Sequence, residues 1–315
     1  MTLSILYRGP LSSCNYACGY CPFAKRTETR AELDHDRACL ERFTTWATTR
    51  TADDLAVLFT PWGEALVRPW YQQALAALTN LPHVRRAAIQ TNLSCKLDWV
   101  EPCDRDALAL WCTFHPGETS RARFVAKCGE LRARGVRFSV GVVGLKEHLA
   151  EIDALRADLP PDVYVWVNAS KRESSYYTPE MFAQLTAIDP HFPTNNQYHA
   201  SLGEPCRAGH QVVAVDGDGT ITRCHFIKRP LGNLYAPGFE SALFDRPCTN
   251  DTCGCHIGYA HLDRLNLGSV YGDGLLERIP LAQRSPARRS WYVRAPFRII
   301  AFNAPLFRTA GHVRC

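Results

Sequence analysis

The first 188 or so residues alternate between short apolar runs and stretches with helical periodicity, and this pattern restricts the fold more than any other feature of the chain. The apolar runs have the length and composition of strands. They cover residues 3–7, 55–60, 86–91, 108–114, 136–143 and 163–168. The helical patterns occupy residues 35–49, 66–80, 119–134, 145–158 and 178–188.

Strands that alternate with helices along a chain usually form a parallel sheet with crossover helices. Eight such units close a full barrel, so six units predict an α/β fold with an open, partial (β/α)6 barrel. A doubly wound sheet is the alternative. In either architecture the functional side chains gather at the carboxyl ends of the strands.

The pattern changes after about residue 190. Residues 190–205 are rich in Pro, Asn and His and are interpreted as a linker. Residues 211–215 and 220–224 alternate around the sequence Asp-Gly-Asp-Gly, which predicts a β-hairpin. We therefore expect a barrel over residues 1–190, a small cysteine-rich hairpin module over 191–265, and a basic, aromatic-containing tail over 266–315.

Composition limits the compartment and the use of cysteine. The chain is 46% hydrophobic and 21% charged, which is ordinary for a folded soluble protein. It shows no apolar run of membrane-spanning length and no secretory signal, so we expect a cytoplasmic protein with no membrane partner. Three of its 14 cysteines lie within residues 14–21 and five within residues 206–255. In a reducing compartment such clusters indicate metal ligands rather than disulfides.

Positive charge is concentrated in the tail. Residues 283–315 contain seven arginines and no acid, which leaves −2 of the net charge of +5 for residues 1–282. The main body therefore lacks a basic nucleic-acid footprint, and nucleic acid is not an expected partner. The tail is interpreted as a surface segment packed over the barrel, and binding of nucleic acid, an acidic peptide or a membrane surface is the alternative.

The first cysteine cluster is Cys14, Cys18 and Cys21, with the spacing C-x3-C-x2-C, and it follows the first predicted strand. Three thiolates in a tight loop can hold three irons of a cubic 4Fe–4S cluster and leave the fourth iron open. An open position on a metal is where a substrate or cofactor binds. A zinc site with a distant fourth ligand is the alternative, although zinc favours two closely spaced pairs of ligands.

This cluster resembles the signature of the radical S-adenosylmethionine (SAM) superfamily, C-x3-C-x-aromatic-C, with Tyr20 as the aromatic residue. The resemblance implies that SAM chelates the open iron. It further implies that an electron from the reduced cluster cleaves SAM to a 5′-deoxyadenosyl radical, which abstracts hydrogen from a substrate. A donor such as flavodoxin or ferredoxin would supply the electron.

Later strand ends carry polar residues that fit the same family. Gly63 and Glu64 match the Gly-Gly-Glu-type motif after the second strand, with Trp62 in place of the first glycine. A glycine allows close backbone approach to the cofactor, and a carboxylate can accept hydrogen bonds from the ammonium of SAM. In the family's Thr-Asn-Gly pattern, Leu93 replaces the glycine. The other candidate SAM or substrate contacts are Asn92, Thr113, His115 and Asn168.

The second cysteine set begins with Cys206 and Cys224, which bracket the predicted hairpin in the pattern C-x12-G-x4-C. It continues with Cys248, Cys253 and Cys255. The region resembles the SPASM and twitch extensions of radical SAM enzymes, which bind auxiliary 4Fe–4S clusters. Five cysteines fit a twitch-like module with one auxiliary cluster, and a zinc ribbon, with His225 or His256 as further ligand candidates, is the alternative.

Three functions are compatible with these patterns. The first is a radical SAM enzyme that oxidises, crosslinks or rearranges a ribosomally made peptide, with a separate peptide-recognition protein as partner. The second is a twitch-type dehydrogenase or rearrangement enzyme that acts on a small molecule. The third is a non-enzymatic iron–sulfur or zinc protein, which would need no residues such as Gly63 and Glu64 for SAM.

Overall fold

The computed structural model describes residues 1–23, 26–171 and 173–283. Its strands are β1 (Thr2–Arg8), β2 (Asp54–Phe59), β3 (Val84–Thr91), β4 (Leu108–Phe114), β5 (Arg137–Gly144), β6 (Val165–Ala169), β7 (His199–Ala200), β8 (Val212–Asp216), β9 (Thr220–Cys224), β10 (Ile227–Asn233) and β11 (Thr252–Cys253). Its helices are α1 (Arg30–Thr49), α2 (Pro69–Thr79), α3 (Arg121–Ala133), α4 (Leu149–Asp158), α5 (Pro179–Ile188), α6 (Phe192–Asn195), α7 (His256–Tyr259) and α8 (Leu267–Tyr271). From residue 284 onward, the tail predicted from the sequence lies outside the described residues.

Within the described part of the chain, nine strands form one sheet in the order β10-β9-β8-β1-β2-β3-β4-β5-β6. The six strands β1 to β6 pair with their neighbours in chain order, and every one of these pairs is parallel. This confirms the prediction of six parallel strands with crossover connections.

The helices α1 to α6 lie on one face of this sheet, whereas the short helices α7 and α8 belong to the cysteine-rich segment on the other face. Leu3, Ile5 and Tyr7 of β1 share a core with Phe43 of α1 and with buried side chains of α2 to α5. Helices on both faces are the mark of a doubly wound sheet. The one-sided layering therefore favours the partial barrel over that alternative.

Local signals explain where several helices begin. Thr29 caps α1, and its side chain and that of Glu32 exchange hydrogen bonds with each other's backbone in a capping box. Ser120 caps α3, and Thr178 caps α5 with a proline following. The prediction that the first helix begins at residue 35 was wrong by five residues, because the capping box at Thr29 starts it at Arg30.

The other face of the sheet packs against the cysteine-rich segment. Small residues such as Ala56, Ala88 and Ala109 leave room there for Trp111 and Trp166. The segment contributes buried residues to the same core, namely Cys206, Cys224, Ile257, Tyr259, Leu262, Leu267, Tyr271 and Leu276. The cysteine-rich segment therefore fills the face of the barrel that the helices leave uncovered.

The predicted hairpin is present as β8 and β9, but it belongs to the barrel sheet. β8 pairs in parallel with β1 from Ser4 to Arg8, and β9 returns antiparallel to β8. The segment 190–205 is likewise not a loose linker, because Phe192 and Asn195 in α6 are fully buried. The predicted barrel and hairpin module thus share one continuous sheet.

No helix in the ranges described above is both long enough and apolar enough to cross a membrane.

Candidate active site

The loop after β1 places all three cysteines of the first set in the lining of one cavity. Cys14, Cys18 and Cys21 line it with residues from the ends of β2, β3 and β4. Of the SAM contacts predicted from the sequence, this cavity brings together Gly63, Glu64, Asn92, Thr113 and His115. The carboxyl ends of neighbouring parallel strands thus meet at one site, as the fold requires.

Asn168 lies elsewhere. It occupies an exposed position near the end of β6, paired in register with Val143, and it is not among the residues that line the cysteine cavity. Its role in binding adenine or ribose stays a prediction.

His115 connects the cysteine loop to the end of β4. Its Nδ1 atom lies 2.7 Å from the Tyr20 hydroxyl and 3.4 Å from the Cys18 sulfur. Burial lowers the pKa of His115 to about 4, so the ring is neutral at pH 7 and Nδ1 can accept a hydrogen bond. Tyr20, the aromatic residue of the motif, therefore helps to position the loop through His115.

Glu64 is buried beneath the cysteine loop. Its carboxylate accepts hydrogen bonds from the Thr91 hydroxyl at 2.8 Å, the Leu66 amide at 3.0 Å and the Asn92 amide. Burial raises the pKa of Glu64 to about 7, although these hydrogen bonds act in the opposite direction. A cation in the cavity would favour the ionised carboxylate.

Gly63 allows the end of β2 to touch the cysteine loop. A Cβ atom at this position would lie 1.7 Å from the carbonyl oxygen of Ser13 and 3.1 Å from the amide nitrogen of Cys14. The next residue, Glu64, donates its amide to the same Ser13 oxygen at 3.2 Å. We expected Gly63 to allow close approach of the cofactor, whereas the close approach in this structure is between two segments of backbone.

Asn92 links the end of β3 to the same loop. Its side-chain amide donates to Asn15 Oδ1 at 3.0 Å, and its own oxygen accepts the Ser94 amide at 3.0 Å. The following residue, Leu93, has φ of 58°, a left-handed conformation that favours glycine. Leu93 therefore holds a backbone conformation that a glycine at this position would adopt without strain.

Residues that the sequence analysis did not single out also hold the loop. Glu28 accepts from the Ser12 amide at 2.6 Å and from the Ser13 hydroxyl, and Glu118 accepts from the Ala17 amide at 3.1 Å. Both carboxylates are distant in sequence from these amides and belong to no recognisable motif, so no sequence signal pointed to them.

Trp62 is a further lining residue, and its departure from the glycine of the motif was the signal that marked it. Its ring packs 4.6 Å from that of Phe23, and the Arg8 guanidinium lies 4.0 Å over it. Trp62 lines both the cysteine cavity and a neighbouring cavity of about 470 Å³ bounded by the β8–β9 hairpin.

Cys255 differs from the other four cysteines of the second set in its exposure to solvent. Cys206, Cys224 and Cys248 are buried and Cys253 is half-buried. Burial and then the thiols of Cys224, Cys255, Cys248 and Cys206 raise the pKa of Cys253 to about 12, which places these groups near one another. Cys255 is an exposed residue, although desolvation raises the pKa of its thiol, and that thiol interacts with Arg8 of β1 and with Lys171 after β6.

The arrangement of the first three cysteines suits a cubic cluster better than a single metal ion. Within residues 1–23, 26–171 and 173–283, no three His, Cys, Asp or Glu side chains are gathered around one point as a single metal ion requires. In a cubic cluster each thiolate binds a different iron, so the three sulfurs need only line a common cavity. Cys14, Cys18 and Cys21 meet that condition.

Comparison with known proteins identifies the fold. No protein-family model and no curated protein sequence matches the chain. A solved structure of polyhistidine-tagged anSMEcpe with bound AdoMet aligns with 78% of this chain and 80% of its own, with 14% identity and a TM-score of 0.50. Native anSMEcpe with bound AdoMet and the Kp18Cys peptide aligns with 76% and 80%, with 14% identity and a TM-score of 0.51.

Both of these structures hold bound AdoMet. At this sequence identity the likeness shows that the two chains share a fold. It agrees with the partial barrel inferred from the layering of helices on one face.

We predict that Gly63→Ala disrupts the cysteine loop. The added Cβ must displace the Ser13 carbonyl, so we expect a loss of about 1–3 kcal/mol in the free energy of unfolding, typical of overpacking, and reduced iron binding at the first cysteine set. Urea unfolding and iron analysis after anaerobic reconstitution measure both effects.

Gly19→Ala is the matched control, because Gly19 lies in the same loop and an added Cβ would meet no atom within 4 Å. Equal behaviour of the two variants would contradict the argument from the Gly63–Ser13 contact.

Proposed function

We propose that this chain is a radical SAM enzyme with its first 4Fe–4S cluster on Cys14, Cys18 and Cys21. The observation that carries the proposal is the single cavity that these thiols share with Glu64, Asn92 and His115. A non-enzymatic metal protein has no need of a buried carboxylate beside an open coordination position. The fold shared with an AdoMet-bound enzyme adds support.

The chain's own residues would bind and orient the cofactor. When bound, the cluster and SAM together supply a 5′-deoxyadenosyl radical. Glu64 would accept hydrogen bonds from the SAM ammonium, and Asn92 would present its side chain at the same wall of the cavity. His115, neutral at pH 7, would hold the loop in place through Tyr20. Trp62 and Phe23 would cover the cavity on the side of the hairpin.

The direct test is anaerobic reconstitution with iron and sulfide, followed by reduction with SAM present. Two 4Fe–4S clusters predict about eight irons per chain and release of 5′-deoxyadenosine. Cys18→Ala should reduce 5′-deoxyadenosine formation to background, because one of the three iron ligands is lost. Cys103→Ala, which removes a buried thiol outside both sets, should retain it. SAM cleavage by Cys18→Ala at the unmodified rate would refute the assignment.

The ionisation of Glu64 predicts a pH dependence of SAM binding. Its pKa is raised to about 7 by burial, so the carboxylate that the ammonium needs is lost as pH falls through 7. We expect the dissociation constant for SAM to rise by up to about tenfold per pH unit below that value. Glu64→Gln should bind SAM weakly with a flat pH profile between pH 6 and 8. Isothermal titration at fixed ionic strength measures this, and a profile in Glu64→Gln as steep as that of the unmodified chain would contradict it.

For the substrate we propose a ribosomally made peptide, delivered with the help of a separate recognition protein. The cavity beside Trp62 adjoins the cysteine cavity and is open enough to take a side chain together with some backbone. The matching structure of native anSMEcpe contains a bound peptide, Kp18Cys. A small-molecule dehydrogenase or rearrangement enzyme is the second candidate. Incubation with peptides encoded beside the gene, followed by mass spectrometry, distinguishes the peptide substrate from the small-molecule substrate.

Flavodoxin or ferredoxin is proposed as the electron donor.

We further propose that Cys206, Cys224, Cys248 and Cys253 hold one auxiliary 4Fe–4S cluster. Cys206, Cys224 and Cys248 are buried residues and Cys253 is half-buried, and each of the first three acts on the pKa of Cys253, as Cys255 also does. Cys255 is exposed, and its thiol interacts with two cationic groups that belong to other parts of the barrel, Arg8 and Lys171. Zinc at the same four thiols is the alternative.

Cys253→Ala should therefore lose the auxiliary centre, with iron falling by about four per chain because a cubic cluster holds four irons. Cys255→Ala, two residues away, should keep the iron content of the unmodified chain. Iron and zinc analysis of the reconstituted variants measures this. Loss of iron in Cys255→Ala with full retention in Cys253→Ala would reverse the assignment of ligands.

A further inference from the structure

We propose that Arg223 donates hydrogen bonds to the auxiliary centre on Cys206, Cys224, Cys248 and Cys253, and that its charge favours reduction of that centre. This inference rests on the auxiliary cluster of the proposed function. It assigns a role to a residue that neither the cysteine pattern nor the SAM site accounts for.

Arg223 is a buried cation with unused donors. Its side chain lies in β9, directly before Cys224, and the residue is 3% exposed. Nη1 donates to the carbonyl oxygen of Pro247, the neighbour of Cys248, at 2.5 Å. Nε and Nη2 are buried, and neither makes a well-formed hydrogen bond to a described residue, although the guanidinium lies close enough to the Cys206 thiol to lower the pKa of that thiol. Buried donors are nearly always paired, and an unpaired buried charge is costly, so these two N–H groups point to a stronger acceptor at the cysteine set than a neutral thiol.

The charges of the protein around Arg223 increase this cost. Burial and then Arg223 and Arg229 lower the pKa of Arg246, so the Arg223 guanidinium is close enough to that of Arg246 for the two to repel each other. A counter-charge is therefore needed on the buried side of Arg223. The guanidinium does interact with a thiol of the cysteine set: burial raises the pKa of Cys206, while the Ala208 backbone and the Arg223 guanidinium act to lower it.

The backbone makes room for this side chain. Gly209 has φ of +99°, and a Cβ there would lie 3.1 Å from Cγ of Arg223. Only glycine readily takes that conformation, and it leaves a channel for the aliphatic part of the arginine. The guanidinium is therefore held at its position by packing as well as by the Pro247 carbonyl.

A cluster ligated by four thiolates provides the missing acceptor. It carries net negative charge, and its sulfur atoms accept hydrogen bonds, both of which set its reduction potential. A guanidinium presents five N–H donors in a fixed plane, so Nε and Nη2 can bond to sulfur while Nη1 keeps its carbonyl partner. Reduction adds an electron to the centre, and a fixed positive charge nearby stabilises the reduced form.

The test uses the full chain with Cys14, Cys18 and Cys21 changed to Ala, so that only the auxiliary centre contributes iron signals. In this background Arg223→Met should shift the midpoint potential to a more negative value in a redox titration followed by electron paramagnetic resonance. Arg246→Met is the matched control: it removes a nearby guanidinium that is more exposed and so better screened by water, and it should shift the potential much less than Arg223→Met. Arg223→Lys keeps the charge and should fall between the unmodified chain and Arg223→Met.

Three outcomes decide the proposal. An unchanged potential and iron content in Arg223→Met would overturn it. Arg223→Met could also lose the auxiliary centre. In that case, retention of iron by Arg223→Lys supports the role of the positive charge. Loss of iron from both variants, each with the circular dichroism of the unmodified chain, overturns the proposal. Zinc in place of iron in this background would overturn the redox role, while SAM cleavage by the chain with all its cysteines would show that the first-cluster assignment still holds.

Discussion

The contact between Gly63 and the Ser13 carbonyl is the constraint on which the candidate site depends. It brings the end of β2 against the cysteine loop so closely that no side chain fits between them. The same contact fixes the Glu64 amide on Ser13, so the buried carboxylate of Glu64 faces the cavity that the thiols line. Because two backbones rather than flexible side chains make the contact, the distance between carboxylate and thiols is set before any cofactor binds, which reduces the ordering cost of binding.

The opposite side of the barrel is held by buried charge. Glu277 is fully buried and pairs with Arg86 and Arg137 on β3 and β5. Arg278 beside it lies 4.6 Å over the Trp166 ring and 3.9 Å from Asp189. Buried charges that are paired contribute more to specificity than to stability, since desolvation offsets much of their attraction. We infer that these pairs fix one register of the cysteine-rich segment in the barrel, and with it the position of Cys224 at the end of β9.

Periodicity predicted the six parallel strands because each strand repeats one local pattern. The Cys14 loop and the Cys206–Cys224 hairpin were also predictable. The C-x3-C-x2-C spacing indicates the loop, and the Asp-Gly-Asp-Gly turn indicates the hairpin. The start of α1 could have been found from the sequence, since Thr29 and Glu32 form a capping box. The hydrogen bonds from the cysteine loop to Glu28 and Glu118 could not have been predicted from the sequence, because a single carboxylate outside the loop forms no recognisable pattern.

The pairing of β8 with β1 was beyond sequence reasoning for a related reason. A hairpin signal predicts which strands turn back on each other, but it does not predict which outer edge they join. The six-strand sheet leaves an edge at β1 and another at β6, and the hydrophobic pattern of residues 211–215 suits either. Only the packing of the whole cysteine-rich segment on the uncovered face selects the β1 edge.

Leu93 shows how the site keeps its geometry without the residue that the family pattern has there. A left-handed conformation in a non-glycine residue costs about 1–2 kcal/mol. Leu93 is 2% exposed and packs in the core between sheet and helices, and full burial of a leucine contributes about 1.5–3 kcal/mol. Packing therefore offsets the strain. The turn that aims Asn92 at the cysteine loop is secured by the Thr91 hydroxyl, which accepts the Leu93 amide at 2.9 Å and donates to Glu64. Thr91 thus couples the strained, buried residue Leu93 to the position of Glu64. A substitution at this turn would therefore displace the carboxylate that we assign to SAM binding.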